Sequence, residues 1–263
     1  MKKHFAFAIA AAGLAACLSA VAQEPTVDDI VARTNTASYY QGKDGRAGVT
    51  MTITDAQGRE RKRELTILRR DSGEDGGKQR FYVYFHEPAD VRDTAFLVWK
   101  HLGQDDDRWL YLPALDVTKR IAAADERTSF VGSHYFYEDV SGRGIDEDDH
   151  ELVETTDTYY VLKNTPKNKD AVEFDSFTMW LHKGTYLPVK VEFEKGGEVY
   201  RTNEILAVDT IQGYPTVTKS KMTDKRIGGF TVNEYHDIKY DLDMPEDIFT
   251  ERYLRRAPRE YLR

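Results

Sequence analysis

Histidines and runs of acidic residues are the side chains of this sequence best suited to metal or acid–base chemistry. Seven histidines occur. They stand alone, because none forms an HxH or HxxxH pair with the spacing of a zinc site. The acidic runs 105–107 and 146–149 lack the glycine and the terminal glutamate of a calcium loop. We therefore interpret both runs as solvated turns and expect neither a metal site nor a cofactor.

The patterns of the common nucleophilic and nucleotide-dependent enzymes are also missing from the sequence. It contains no Gly-x-Ser-x-Gly elbow, no P-loop and no dinucleotide fingerprint. The single cysteine, Cys17, lies in a predicted leader, which leaves the rest of the chain without a thiolate nucleophile or a disulfide. We predict that the protein is not an enzyme. Action on a lipid or a sugar is the alternative, and a cluster of converging polar side chains with perturbed titration would favour it.

Residues 1–22 have the form of a cleaved secretion signal. Two lysines precede a short apolar stretch, and Ala20-Val21-Ala22 supplies a small-residue cleavage site. The alternative is lipidation at Cys17, because Leu14-Ala15-Ala16-Cys17 resembles a lipobox. Either process takes the protein out of the cytoplasm. The leader is typical of Gram-negative bacteria, so we expect the protein in the periplasm.

Charge and hydropathy restrict the class of partner. The full chain carries a net charge of −8, which argues against nucleic acid as a partner. Nothing after residue 22 approaches the run of about 20 apolar residues that a membrane span requires.

The expected oligomeric state of the protein is a monomer.

One N-terminal helix is predicted over residues 26–41. Thr26 is a suitable N-cap, Ile30 and Val31 fall on one face, and Gly42 ends the helix. This helix must bury its apolar face on the strands that follow.

From Gly48 to Tyr240, the pattern predicts strands joined by short turns. The clearest strand places Leu187, Val189, Val191 and Phe193 on one face and charged residues on the other. No strand–helix–strand alternation occurs, which argues against a parallel sheet. We predict one domain over residues 23–263, built on a large antiparallel sheet that curls around its own helices and so protects its edges.

The stretch from Asp107 to Asp139 organises this domain. Trp109 to Leu112 is apolar on both faces, and such a strand requires cover on both sides. The aromatic segment that follows is a natural cover, and we predict that it forms a lid over an apolar cavity. The predicted lid residues are Phe130, His134, Tyr135, Phe136 and Tyr137.

The walls of the cavity are predicted to come from the apolar strands. The candidates are Phe81, Val83, Phe96, Val98, Trp109, Tyr111, Met179, Leu181, Val191 and Phe193. Because several of these strands are apolar on both faces, the pattern leaves open which parity faces the cavity. Ordinary core packing is the alternative for all of them.

Residues 245–263 form a basic C-terminal tail with arginines at positions 252, 255, 256 and 259. One interpretation is a solvated end of the chain. The other is a surface that touches an anionic membrane face or an acidic partner.

Several motifs resemble a family of periplasmic proteins, the LolA-like outer-membrane lipoprotein-sorting proteins. They are WLYLPAL at 109–115, Lys119-Arg120-Ile121, SFVGSHYFYEDV at 129–140, the strand at 94–99 and the tail segment at 245–250 with Leu254. The resemblance implies an α+β, mostly β fold. A single large curved antiparallel sheet would form an incomplete barrel, capped by the N-terminal helix and a central helical and aromatic lid.

The resemblance also implies a function. In the LolA and LolB carriers the concave surface holds the acyl chains of a lipoprotein, so we expect a carrier or chaperone for lipid or lipidated cargo. Relatives beside genes for RND or MMPL transporters suggest an inner-membrane transporter as a partner. The alternative is a binding or sensing module that recognises an envelope protein.

Two positions depart from the family pattern. The family often has an acidic residue where this chain has His134. LolA also closes its lid with an arginine on an early strand; Arg69 and Arg70 lie in a similar place, but the match is too weak to assign them that role.

Overall fold

Thirteen strands make up one antiparallel sheet in the computed structural model, which describes residues 24–72 and 77–263. The predicted signal peptide and Cys17 lie outside the described residues. The strands are β1 (Asp44–Thr54), β2 (Glu60–Ser72), β3 (Lys78–Glu87), β4 (Ala95–Lys100), β5 (Asp107–Leu112), β6 (Val117–Ile121), β7 (Asp148–Thr155), β8 (Tyr159–Pro166), β9 (Ser176–His182), β10 (Pro188–Lys195), β11 (Glu198–Ile211), β12 (Tyr214–Asp224) and β13 (Phe230–Tyr240).

The strand order is β6-β5-β4-β3-β2-β1-β13-β12-β11-β10-β9-β8-β7. The first and last strands of the chain therefore pair at the centre, while β6 and β7 are the two edges. These edges do not pair with each other, so the sheet is an open barrel. The mostly β fold with an incomplete antiparallel barrel is confirmed.

Three helices accompany the sheet in the described part of the chain: α1 (Val27–Tyr39), α2 (Glu138–Ser141) and α3 (Arg252–Arg255). Short 3-10 turns occur at Pro113–Leu115, Ala123–Asp125, Phe130–Gly132, Lys169–Ala171 and Glu246–Phe249. No helix among the described residues is long and apolar enough to span a membrane.

Helix α1 begins with a reciprocal cap. The Asp29 backbone N–H donates to Thr26 Oγ1 at 3.1 Å, and the Thr26 N–H donates to Asp29 Oδ2 at 3.1 Å. The buried face of the helix carries Ile30 and Val31, which pack with Leu162 and Leu181 of the strands β8 and β9. This helix therefore covers one end of the concave face.

The segment between the two edge strands, residues 122–147, crosses the concave face. We refer to it as the lid. Phe130 packs on the rings of Phe85 and Phe96, while His134 contacts Thr231 of β13. Since these partners belong to distant strands, the lid bridges the two arms of the curved sheet.

The C-terminal tail packs on the opposite, convex face. Ile248, Phe249 and Leu254 are buried in a cluster with Tyr82 and Leu97. Trp99 Nε1 donates to the Phe249 carbonyl at 2.7 Å. The interpretation of this tail as a solvated end is therefore wrong for its apolar side chains, which are needed to cover the second apolar face of β3, β4 and β5.

Candidate functional site

A cavity of about 470 Å³ lies between the concave face of the sheet, α1 and the lid. This volume falls in the range of small-molecule sites, roughly 300–1,000 Å³. Its walls are mainly aliphatic and aromatic; among them are Val49, Met51, Leu65, Ile67, Phe177, Ile205, Val217 and Met222. The cavity can therefore accept an apolar ligand.

Five of the predicted wall residues lie together at this cavity: Phe81, Val83, Met179, Val191 and Phe193. Phe96 and Val98 face the same side of the sheet but belong to the core beneath the lid. Leu181 is packed under α1. The concave face is thus filled at one end and hollow at the other.

Trp109 and Tyr111 lie on the convex face, against the C-terminal tail. Their neighbours Leu110 and Leu112 occupy the concave core instead. Successive side chains of a strand point to opposite faces, and both faces of β5 are covered. The composition of this strand therefore could not distinguish the two parities.

The four aromatic side chains among the predicted lid residues hold the lid on the sheet. Phe130 and Tyr137 pack on the Phe96 ring, with centroids 5.4 and 5.2 Å away. The Tyr135 hydroxyl bonds Ser220 Oγ of β12 at 2.8 Å. Phe136 lies under the Arg201 guanidinium, 3.9 Å from the Cζ atom to the ring centroid.

His134 is the fifth predicted lid residue, and it is buried at the tip of the lid. Its Nδ1 lies 2.8 Å from Thr231 Oγ1 and its Nε2 lies 2.9 Å from the Gly228 carbonyl. Because a carbonyl can only accept, Nε2 carries the proton. The imidazole therefore fixes the lid to β13 and to the turn before it.

The base of the lid is fixed to β4 and β5. Lys100 Nζ donates to the carbonyls of Ser141 and Gly142 at 2.7 and 3.1 Å. Burial lowers the pKa of Lys100. Arg108 of β5 holds the start of the lid through an ion pair with Glu126 at 2.5 Å, and it also pairs with Asp106 at 2.9 Å. These contacts anchor the two ends of the lid, while the aromatic segment holds its middle on the sheet.

A few polar groups interrupt the apolar wall of the cavity. Ser220, Asn233 and Tyr235 line it, and the Asn233 amide donates to the Tyr235 hydroxyl at 3.4 Å. The side-chain amide oxygens (Oδ1) of Asn203 and Asn233 are buried and have no hydrogen-bond partner among the described residues. They could orient the polar part of a ligand. Among the same residues, no group of three or more His, Cys, Asp or Glu side chains is placed to hold a metal ion.

Comparison with known proteins assigns the family. A family model described as that of an uncharacterized protein matches residues 77–256. A DUF1329 family protein from Desulfovibrio piger is 28% identical and has a TM-score of 0.79, with 86% of this chain and 96% of that chain covered. An outer membrane lipoprotein-sorting protein domain from Vibrio parahaemolyticus is 28% identical, with a TM-score of 0.77 over 86% and 97% of the two chains.

The chain belongs to the family of uncharacterized proteins whose model it matches over residues 77–256. A LolA superfamily protein from Nitrosomonas europaea, 23% identical, shares the fold, with a TM-score of 0.67 over 88% of this chain and 100% of that chain. No curated protein sequence matches. The sequence-based resemblance to LolA-like proteins is confirmed.

An arginine does hold the lid of this LolA-like protein, but it is not one of the two early-strand candidates. Arg69 donates to Asp71 and to the Gly42 carbonyl, and Arg70 donates to the Met244 carbonyl. Arg201 of β11 instead forms an ion pair with Asp139 of the lid. The only sequence signal for Arg201 is a charged residue at an inward position of a strand, and its partner Asp139 lies 62 positions away.

An ionic network lies where the lid ends in this LolA-like protein. Glu138 is buried and paired with Arg127 and with Arg143, the latter at 2.9 Å. Burial raises the pKa of Glu138 to about 7, against the opposing charges of the two arginines. Burial also acts to raise the pKa of Glu173, but hydrogen bonds and charge from Arg127 outweigh it and lower that pKa to about 2.

Proposed function

We propose that this chain is a periplasmic carrier or chaperone that holds lipid, or the acyl chains of lipoproteins, in the concave cavity. The observation that supports it is an apolar cavity of about 470 Å³ under a lid. Burial of each CH₂ group contributes about 0.8 kcal/mol. An apolar wall without strong polar anchors therefore suffices to hold a chain and to release it.

The lid supports a carrier cycle. It is anchored at both ends by Arg108 and Lys100 and is held in the middle by ionic and hydrogen-bonded contacts to β11 and β13. These polar contacts can exchange with water when the lid lifts, and an apolar ligand would replace the packing of Phe130 and Tyr137 on Phe96. No catalytic residue is required, and delivery would involve an inner-membrane transporter of the RND or MMPL type.

The test is native mass spectrometry of the mature protein, purified from its own periplasm without detergent. Any excess mass is extracted for lipid analysis, and the bare protein is then offered phospholipids and acylated peptides. We expect a retained lipid or acylated peptide. A protein that stays bare would overturn the carrier proposal in favour of a module that binds an envelope protein.

A matched pair of variants locates the ligand. Ala47 is a half-buried residue of β1 that lines the cavity, and Ala47→Trp should fill it. Ala207 is exposed on β11 of the same sheet, so Ala207→Trp adds the same ring outside the cavity. We expect Ala47→Trp to lose the ligand and Ala207→Trp to keep it. Equal retention by both variants would mean that the ligand binds elsewhere.

A further inference from the structure

Two arginines of β2 converge on the turn of the lid, outside the set of residues that line the cavity. The position that a Cβ atom would occupy on Gly132 lies 3.8 Å from Arg63 Nη2 and 4.0 Å from Arg61 Nη1. Gly132 has a φ of +77°, so it holds a left-handed conformation that favours glycine. The absence of a side chain there leaves room in front of both guanidinium groups.

Arg63 is a buried cation with unused donors. Its side chain belongs to a residue that is only 6% exposed. Its Nε and Nη1 atoms are buried without a hydrogen-bond partner among the described residues. A buried donor that stays unpaired costs about 1–3 kcal/mol, and more when the group is charged. Arg63 therefore destabilises the folded protein unless an acceptor binds its guanidinium group.

The neighbouring carboxylates do not neutralise the two guanidinium groups. Asp55 pairs with Arg59 at 2.7 Å. Burial lowers the pKa of Arg63; Asp90 acts in the opposite direction, and the charge of Arg61 adds to the lowering. Arg61 itself donates to the Gly132 carbonyl at 3.4 Å. The local field is positive and suits an anion.

We propose that Arg61 and Arg63 form a binding site for a phosphate-type oxyanion at the lid turn. Planar guanidinium groups match tetrahedral oxyanions through paired, charge-assisted hydrogen bonds. The oxyanion is either free phosphate or the phosphate of a lipid headgroup. The second source fits the position, because Arg63 shares its strand face with Leu65 of the cavity wall, about 7 Å along the strand.

Titration of the mature chain with three probes tests the site. The probes are inorganic phosphate, dihexanoyl phosphatidic acid and dihexanoyl glycerol, which has the same chains without the phosphate. They are added to the wild type, Arg61→Gln, Arg63→Gln and Arg59→Gln. Arg59→Gln is the matched control, since Arg59 lies two residues before Arg61 but is already paired with Asp55. Arg61 is exposed, so Arg61→Gln keeps the test valid if Arg63→Gln fails to fold.

We expect Arg61→Gln and Arg63→Gln to weaken the binding of a phosphate-bearing probe by at least roughly tenfold, with Arg59→Gln close to the wild type. Binding of inorganic phosphate would identify a free oxyanion site. Binding of phosphatidic acid without binding of phosphate would identify a headgroup site. The proposal is overturned if neither phosphate-bearing probe binds the wild type, or if Arg61→Gln binds as the wild type does. If the wild type binds a phosphate-bearing probe but does not bind dihexanoyl glycerol, the result counts against the cavity as the ligand site and supports the oxyanion site.

Discussion

Arg201 and Asp139 join β11 to the lid through an ion pair in which the arginine is fully buried. Arg201 Nη1 donates to Asp139 Oδ1 at 3.3 Å, Nη2 pairs with Oδ2, and Nη2 also donates to the His134 carbonyl at 3.2 Å. The guanidinium lies over the Phe136 ring. One side chain thus contacts three points of the lid, at His134, Phe136 and Asp139.

Arg201→Met should loosen the lid. Removing one partner of a buried ion pair leaves the other charge uncompensated and typically costs about 3–5 kcal/mol. We expect a loss of that order in the free energy of unfolding. We also expect faster hydrogen exchange at residues 134–139, measured by mass spectrometry.

The exposed pair of Lys219 and Glu234, at 2.7 Å, supplies the control for this substitution. Lys219→Met should cost no more than about 1 kcal/mol, because exposed ion pairs contribute little. If Arg201→Met exchanges at the lid no faster than Lys219→Met does, Arg201 does not hold the lid.

Glu138 should make the stability of the protein depend on pH. Its folded-state pKa of about 7 lies above the usual 4.5, so the native state binds an extra proton between these two values. Stability from this group is therefore fully present below about pH 4.5 and is lost as the pH rises through about 7, with a change on the order of 3 kcal/mol. Glu138→Gln should remove this dependence.

Thermal unfolding from pH 5 to pH 8 measures the effect. The control is Glu151→Gln, which changes an exposed glutamate of β7 and should retain the wild-type slope. A wild-type slope in Glu138→Gln would show that the carboxyl of Glu138 is already ionised in the folded protein at pH 5.

The strands and the capped helix could be predicted because alternation and capping are local. The helix predicted over 26–41 forms over Val27–Tyr39, with Thr26 as its cap. The clean alternation around Val191 likewise forms β10, and Val191 and Phe193 both line the cavity. In each case the residues that decide the structure are neighbours along the chain.

The parity of β5 and the contacts of the lid could not be predicted, for two different reasons. Trp109 and Leu110 are both apolar, so only the docking of the distant tail decides which face is convex. Arg201 and Asp139 meet only when the sheet curves. Because the two residues are far apart along the chain, no local spacing motif in the sequence indicates that they form an ion pair.

Leu254 should be a main anchor of the tail on the convex face. It is 2% exposed and packs in the cluster that contains Trp109. Leu254→Ala should lower the free energy of unfolding by about 2–5 kcal/mol, since it opens a cavity in a packed cluster. Leu206→Ala makes the same change at a residue that is 50% exposed, and it should cost no more than about 0.5 kcal/mol. Urea unfolding measures both, and equal losses would mean that the tail does not stabilise the sheet.

Gly142 sets the contact between the end of the lid and α1. Its φ is +70°, and a Cβ atom there would lie 2.4 Å from the Tyr39 ring and hydroxyl. Gly58 has a similar φ of +78° with open space around it. Both glycines therefore hold a left-handed backbone conformation, but only at Gly142 would a Cβ atom collide with a neighbouring side chain. Gly142→Ala should therefore cost about 1–3 kcal/mol more than Gly58→Ala in urea unfolding. Equal costs would show that Tyr39 moves aside freely, and the wall between α1 and the lid would then be soft enough to yield to a ligand.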